Sequence, residues 1–127
     1  MRIRKKAKDD RLAGVSESLP FEIMPAALQQ RLAAGEKLFL IDVREPYEHH
    51  LSRLEGSELI PMDRIPTQFK HLEELAEQAT LIMYCHHGIR SARVVDWLRG
   101  QGIASCQNLA GGIDRWSLEV DPSTPRY

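Results

Sequence analysis

Charge of one sign, cysteine and long apolar runs are all scarce in this chain, and each shortage removes a class of function. Seventeen Lys and Arg against eighteen Asp and Glu leave a formal net charge of −1. That balance carries no footprint for nucleic acid. The basic opening at residues 2–8 is offset at once by Asp9 and Asp10, and reads as a solvated tail. No apolar stretch approaches the roughly 20 residues of a membrane helix. The first residues also lack the apolar centre of a secretory signal, so the expected compartment is the cytoplasm. Two cysteines, Cys85 and Cys106, allow at most one internal disulfide. In a reducing compartment both are expected to be free thiols. No cysteine spacing completes a zinc site. Internal repeats and low-complexity segments are absent as well.

What remains is the composition of one globular domain: 127 residues, 43% hydrophobic and 28% charged. Residues 1–19 are polar and without a steady period, and read as a flexible lead-in to a domain over 20–120. The run at 37–43 (KLFLIDV) is almost wholly apolar, as is 81–84. Both fit strands buried on two faces, as in a parallel sheet. Shorter strands are expected at 21–23, 58–62 and 103–109. Helical spacing appears after Pro25, after Pro66 and after Ser91, with a short helix around Trp116. The segment 121–127, with Pro122 and Pro125, is expected to run extended over the surface. Strands alternating with short helices imply an α/β fold: a single open, mostly parallel sheet of about five strands flanked by helices.

The chemistry concentrates at residues 80–101 (TLIMYCHHGIRSARVVDWLRGQ). An apolar strand leads into Cys85, and a helix begins near Ser91. Helix N-termini present backbone N–H groups with no intrahelical partner, together with a partial positive charge. A thiolate is favoured there. Most free cysteines are buried structural thiols, but Cys85 ends its strand, Gly88 frees the backbone to turn, and Arg90 adds a cation. The segment Cys85-His86-His87-Gly88-Ile89-Arg90 makes a Cys-x4-Arg ring, with N–H groups facing inward as an anion nest. One residue more, Cys-x5-Arg, is the spacing of phosphate loops in cysteine phosphatases. The tighter ring suits a persulfide anion better than a tetrahedral phosphate. Arg90 reads either as cationic support for that anion or as an ion pair bracing the loop. Both roles can hold together.

The remaining candidates have blander readings. His86 and His87 shape the loop entrance. Neither that pair nor His49-His50 forms a chelate alone, because adjacent side chains point in different directions. Cys106 sits inside an apolar strand and reads as a core thiol. Trp97 and Trp116 read as packing residues.

Several stretches together carry a resemblance: LFLIDVREPYEH (38–49), LIPM (59–62), the CHHGIRS loop with its helix, and NLAGGIDRW (108–116). In order and spacing they resemble a rhodanese-homology domain of the single-domain sulfurtransferase kind, over about residues 21–116. The tail VDPSTPRY and the loop are similar to rhodanese domains fused to the adenylating enzymes that activate sulfur-carrier proteins. The resemblance implies ping-pong sulfur transfer. Cys85 takes a sulfane sulfur from a donor such as thiosulfate, and a nucleophilic acceptor, a sulfur-carrier protein among the candidates, removes it. It implies no metal and no organic cofactor, while charge and hydropathy leave neither nucleic acid nor membrane as an expected partner. It casts His86, His87, Gly88, Ile89, Arg90 and Ser91 as the substrate-binding loop. Asp42 and Arg44 match the family's Asp-x-Arg motif, as a charged pair fixing a turn near that loop. One stretch departs from the family: at 52–57 (SRLEGS) a glycine and a histidine of its usual pattern are replaced. Two other functions compete: a small cysteine phosphatase or arsenate reductase on a related fold, and a non-catalytic binding module.

Overall fold

In the computed structural model residues 19–127 are described, so the lead-in expected over 1–19 falls outside them save for Leu19. The elements in order are strand β1 (Glu22–Ile23), helix α1 (Pro25–Ala33), strand β2 (Leu38–Asp42), helix α2 (Pro46–Leu51) and strand β3 (Glu58–Leu59). Two 3-10 turns (Met62–Arg64 and Pro66–Gln68) then lead into helix α3 (Phe69–Ala76). Strand β4 (Thr80–Tyr84), helix α4 (Ile89–Gly100), strand β5 (Cys106–Leu109) and helix α5 (Gly112–Glu119) complete the fold.

The five strands form one sheet in the order β1-β5-β4-β2-β3, and every pairing is parallel. β4 lies at the centre. Its residues alternate between two cores, as the strand period of two demands. Leu81 and Met83 join Ile41, Leu72, Val94, Val95 and Leu98 on the face covered by α3 and α4. Ile82 and Tyr84 join Leu28, Leu40, Ile113 and Trp116 on the face covered by α1 and α5. These four β4 side chains have no exposed surface. Burial of each apolar side chain of this size stabilises the fold by about 1.5–3 kcal/mol. A central strand covered on both faces is the best-anchored place from which to hang a reactive group.

Three local departures from the expected elements have physical causes. Only Cys106–Leu109 of the apolar run 103–109 is strand, because Ile103 N–H instead bonds back to Leu98 O at the end of α4. β3 stops at Leu59 before Pro61, although Ile60 N–H still reaches Asp42 O. The last segment turns at Asp121, where Thr124 N–H donates to Asp121 O and Ser117 Oγ to Thr124 O. The tail thereby brings Tyr127 to the carboxyl end of the sheet rather than simply crossing the surface.

Candidate active site

Cys85 follows directly on Tyr84, the last residue of β4, and is only 1% exposed. Gly88 caps α4 in the left-handed region, at φ +96°. That backbone shape, which glycine adopts without steric cost, folds the loop back over the sulfur. Cys85 Sγ accepts three hydrogen bonds: from Gly88 N–H at 3.2 Å, Ser91 N–H at 3.4 Å and Ser91 Oγ–H at 3.3 Å. Ser91 is itself fully buried. The helix therefore begins two residues before the Ser91 start read from the sequence, and its first turn closes on the thiol. Charge on sulfur is favoured by such donors and by the helix dipole.

A second element holds the loop from outside. At the mouth of α5, Ile113 N–H donates to Cys85 O at 2.9 Å and Asp114 N–H to His86 O at 3.1 Å. Gly112, at φ +64°, makes that approach feasible: a Cβ there would lie 2.4 Å from His86 O and 2.5 Å from Cys85 O. Asn108 on β5 adds a third restraint, donating through Nδ2 to Gly88 O at 3.0 Å and to Glu22 Oε2 at 3.1 Å.

Beside the loop lies a chain of charged groups. Arg90 donates to both carboxylate oxygens of Glu48, at 2.8 and 3.0 Å. This bidentate contact, ahead of the opposing effect of burial, pulls the Glu48 carboxyl down to about 2. Asp42 and Arg44 form a second bidentate pair, at 2.8 and 2.7 Å, with no exposed side-chain surface on either partner. Burial alone would lower the Arg44 pKa, but its bonds to Asp42 and Tyr127 outweigh that and raise it. His49 Nδ1 lies 2.8 Å from Asp42 Oδ2. The Tyr127 hydroxyl joins the two pairs: it accepts from Arg44 Nη1 at 2.7 Å and donates to Glu48 Oε2 at 2.7 Å. Burial first, and the neighbouring Glu48 carboxylate, push its phenol up to about 12.

The Tyr127 ring stacks on His86, with centroids 4.0 Å apart and planes 9° apart, and His86 stacks on His87 at 3.9 Å. Burial, then the neighbouring His87, lowers the His86 pKa and keeps that ring neutral. Its Nε2 is covered and has no partner. His87 points outward, 4.0 Å from Asp114, and Ile89 is 68% exposed. Of the loop residues singled out in the sequence, Gly88 and Ser91 reach the sulfur directly. Arg90 faces Glu48, and His86 packs under the tail. Asp42 and Arg44 sit together beneath Tyr127. Among the described residues no three His, Cys, Asp or Glu side chains gather into a metal-binding group.

Sequence reasoning missed Glu48, Tyr127, Asn108 and Gly112. Glu48 had one local signal: with Glu45 it makes a capping box at the start of α2. Nothing local marks Tyr127, which lies 79 residues from Glu48. The altered stretch at 52–57 is tied down by a buried phenol. Leu54 N–H donates to the Tyr84 hydroxyl at 3.1 Å, and Ser57 Oγ lies 2.8 Å from it. Desolvation, and next the nearby Asp42 charge, push the Tyr84 hydroxyl up to about 12.

Comparison with known proteins agrees with this geometry. A family model described as Rhodanese-like domain matches residues 24–119. The chain is 34% identical over 105 residues to a probable adenylyltransferase/sulfurtransferase, MoeZ, of Mycobacterium tuberculosis; the match covers 83% of this chain and 26% of that protein. It is 35% identical over 101 residues to the putative sulfurtransferase YtwF of Bacillus subtilis, covering 80% of this chain and 94% of the relative. The crystal structure of a rhodanese-related protein from Thermoplasma volcanium superposes with a TM-score of 0.68 at 30% identity, over 78% of this chain and 92% of the other.

Proposed function

The chain belongs to the rhodanese-like domain family, and on that footing we propose that it is a sulfurtransferase working through a persulfide on Cys85. The observation that carries this reading is the sulfur's own surroundings: three donors within 3.4 Å, at the end of the central strand. Relatives matched over most of their length are named as sulfurtransferases, which supports the same reaction class.

With thiosulfate as donor, the Cys85 thiolate attacks the sulfane sulfur. A new S–S bond forms, the donor's S–S bond breaks, and sulfite leaves with the electron pair. The outer sulfur then carries the negative charge, in reach of the loop donors. In the second half, an acceptor nucleophile attacks that outer sulfur and Cys85 departs as thiolate. Cyanide and small thiols are suitable acceptors in vitro. The resemblance of the loop and tail to rhodanese domains fused to enzymes that activate sulfur-carrier proteins favours such a protein as the physiological one; the chain spans about a quarter of the adenylyltransferase/sulfurtransferase MoeZ that it matches. Two unpaired cysteines suit a reducing compartment, the cytoplasm.

The test is intact mass after incubation with thiosulfate. The wild-type protein gains one sulfur atom, located on Cys85 by peptide mapping, and cyanide removes it. Cys85→Ala gains none and transfers none. Sulfur transfer by Cys85→Ala at the wild-type rate sinks this mechanism.

A further inference from the structure

Tyr127 is 39% exposed, yet its hydroxyl is held at 2.7 Å by two charged groups on opposite sides. Those groups belong to different ion pairs. Arg44, with no exposed surface, is the buried cation beside Asp42. Glu48 is the carboxylate that grips Arg90 through both oxygens. We infer that Tyr127 is a positioning residue which acts through Glu48 to fix the Arg90 guanidinium beside Cys85, and so sets the positive potential felt at the sulfur.

Arg44 Nη1 is a buried donor, and a buried donor that loses its acceptor recruits the nearest replacement. Asp42 already receives Arg44 through both oxygens, its backbone N–H included. A second carboxylate is bonded to the same tyrosine hydroxyl, that of Glu48. Without the hydroxyl, Glu48 turns toward Arg44 and gives up part of its grip on Arg90. The Arg90 side chain is 36% exposed, so the freed guanidinium swings toward water. Position supports the last link: Arg90 directly precedes Ser91, which donates to Cys85 Sγ through both its N–H and its Oγ–H, and the Glu48 contact first, with the Cys85 charge after it, raises the Arg90 pKa. Tyr127 thus does for this loop what the loop's own residues do not: it locks the one cation by a contact from the far end of the chain.

The inference rests on Cys85 being the reactive sulfur but not on which donor it meets, and the test is arranged accordingly. Native protein is alkylated with anionic iodoacetate and, separately, with neutral iodoacetamide. The ratio of the two Cys85 rates reports local charge, while loop opening, common to both, divides out. Tyr127→Phe keeps the ring on His86 and removes only the hydroxyl. It should lower the ratio roughly two- to fourfold. Arg90→Gln should lower it at least as far, and adding Tyr127→Phe to Arg90→Gln should change nothing more. Labelling of Cys106 serves as the fold check. Should Tyr127→Phe alone fail that check, Tyr127→Met supplies a second deletion of the hydroxyl, with an apolar side chain left on His86, and should lower the ratio by the same factor. A wild-type ratio in a folded hydroxyl-deletion variant overturns the inference, as does an equal further drop in the Arg90→Gln background. Failure of sulfur loading with these ratios as expected would count against the proposed reaction and leave the positioning role intact.

Discussion

Cys85, just past the end of β4, and Cys106, at the start of the neighbouring β5, are buried to the same degree, 1% and 0% exposed. Burial therefore does not separate these two thiols. Their hydrogen-bond surroundings do. Cys85 stands just past the carboxyl end of β4 and receives three donors from a helix N-terminus. Cys106 opens β5, paired opposite Leu81, and its own thiol donates to Ile103 O at 3.5 Å. Desolvation raises the Cys106 pKa against the weaker opposing pull of Arg99, so that thiol stays protonated. One sulfur accepts hydrogen bonds, the other donates its own.

The contrast can be broken most severely at Gly112. Gly112→Ala places a methyl group onto the Cys85 and His86 carbonyls, in a backbone region that side chains rarely adopt. It should cost about 2–4 kcal/mol of stability, seen as a lower thermal midpoint. With the loop displaced by about 1 Å, sulfur transfer should fall about a hundredfold. Transfer at the wild-type rate in this variant would show that the α5 clamp does not hold the loop. Ser91→Ala is milder: it removes one of the three donors and leaves the backbone in place. Persulfide loading should slow roughly three- to tenfold, with the thermal midpoint nearly unchanged. Cys106→Ala sharpens the contrast from the other side. It should leave transfer at the wild-type rate and cost about 1 kcal/mol through the small cavity it opens, read by chemical denaturation.

The parts of the fold legible in the sequence were those whose cause is local. β2 and β4 are continuous apolar runs, and such runs declare a doubly covered strand. Pro25 and the residues after Ser91 announce helices through capping and period. The Cys85 loop was legible for the same reason, since its strand, glycine and helix are consecutive. The apolar run at 103–109 misled, because closure of α4 by Ile103 competes with strand pairing and periodicity does not rank the two. The network around Arg90 was illegible for a different reason. Its partners sit 42 and 79 residues apart, and a tail containing two prolines gives no hint that its tyrosine turns inward. Spacing along a chain reveals ring size and helix face, but it carries no information about which distant carboxylate meets which cation.

The attachment of residues 52–57 to the Tyr84 hydroxyl has a consequence for how this site can be altered. The anchor belongs to the central strand, while the segment it holds is a connection between α2 and β3. A loop secured by groups outside itself, here Tyr84 and Arg44, whose guanidinium donates to Ser52 O, is an exchangeable part: its sequence can change while the sockets stay. Replacement of Arg53 or Glu55, both exposed, leaves the two bonds to Tyr84 untouched, and with them the strand that carries Cys85. This stretch is therefore a place where sequence can be varied without disturbing the strand that leads into Cys85.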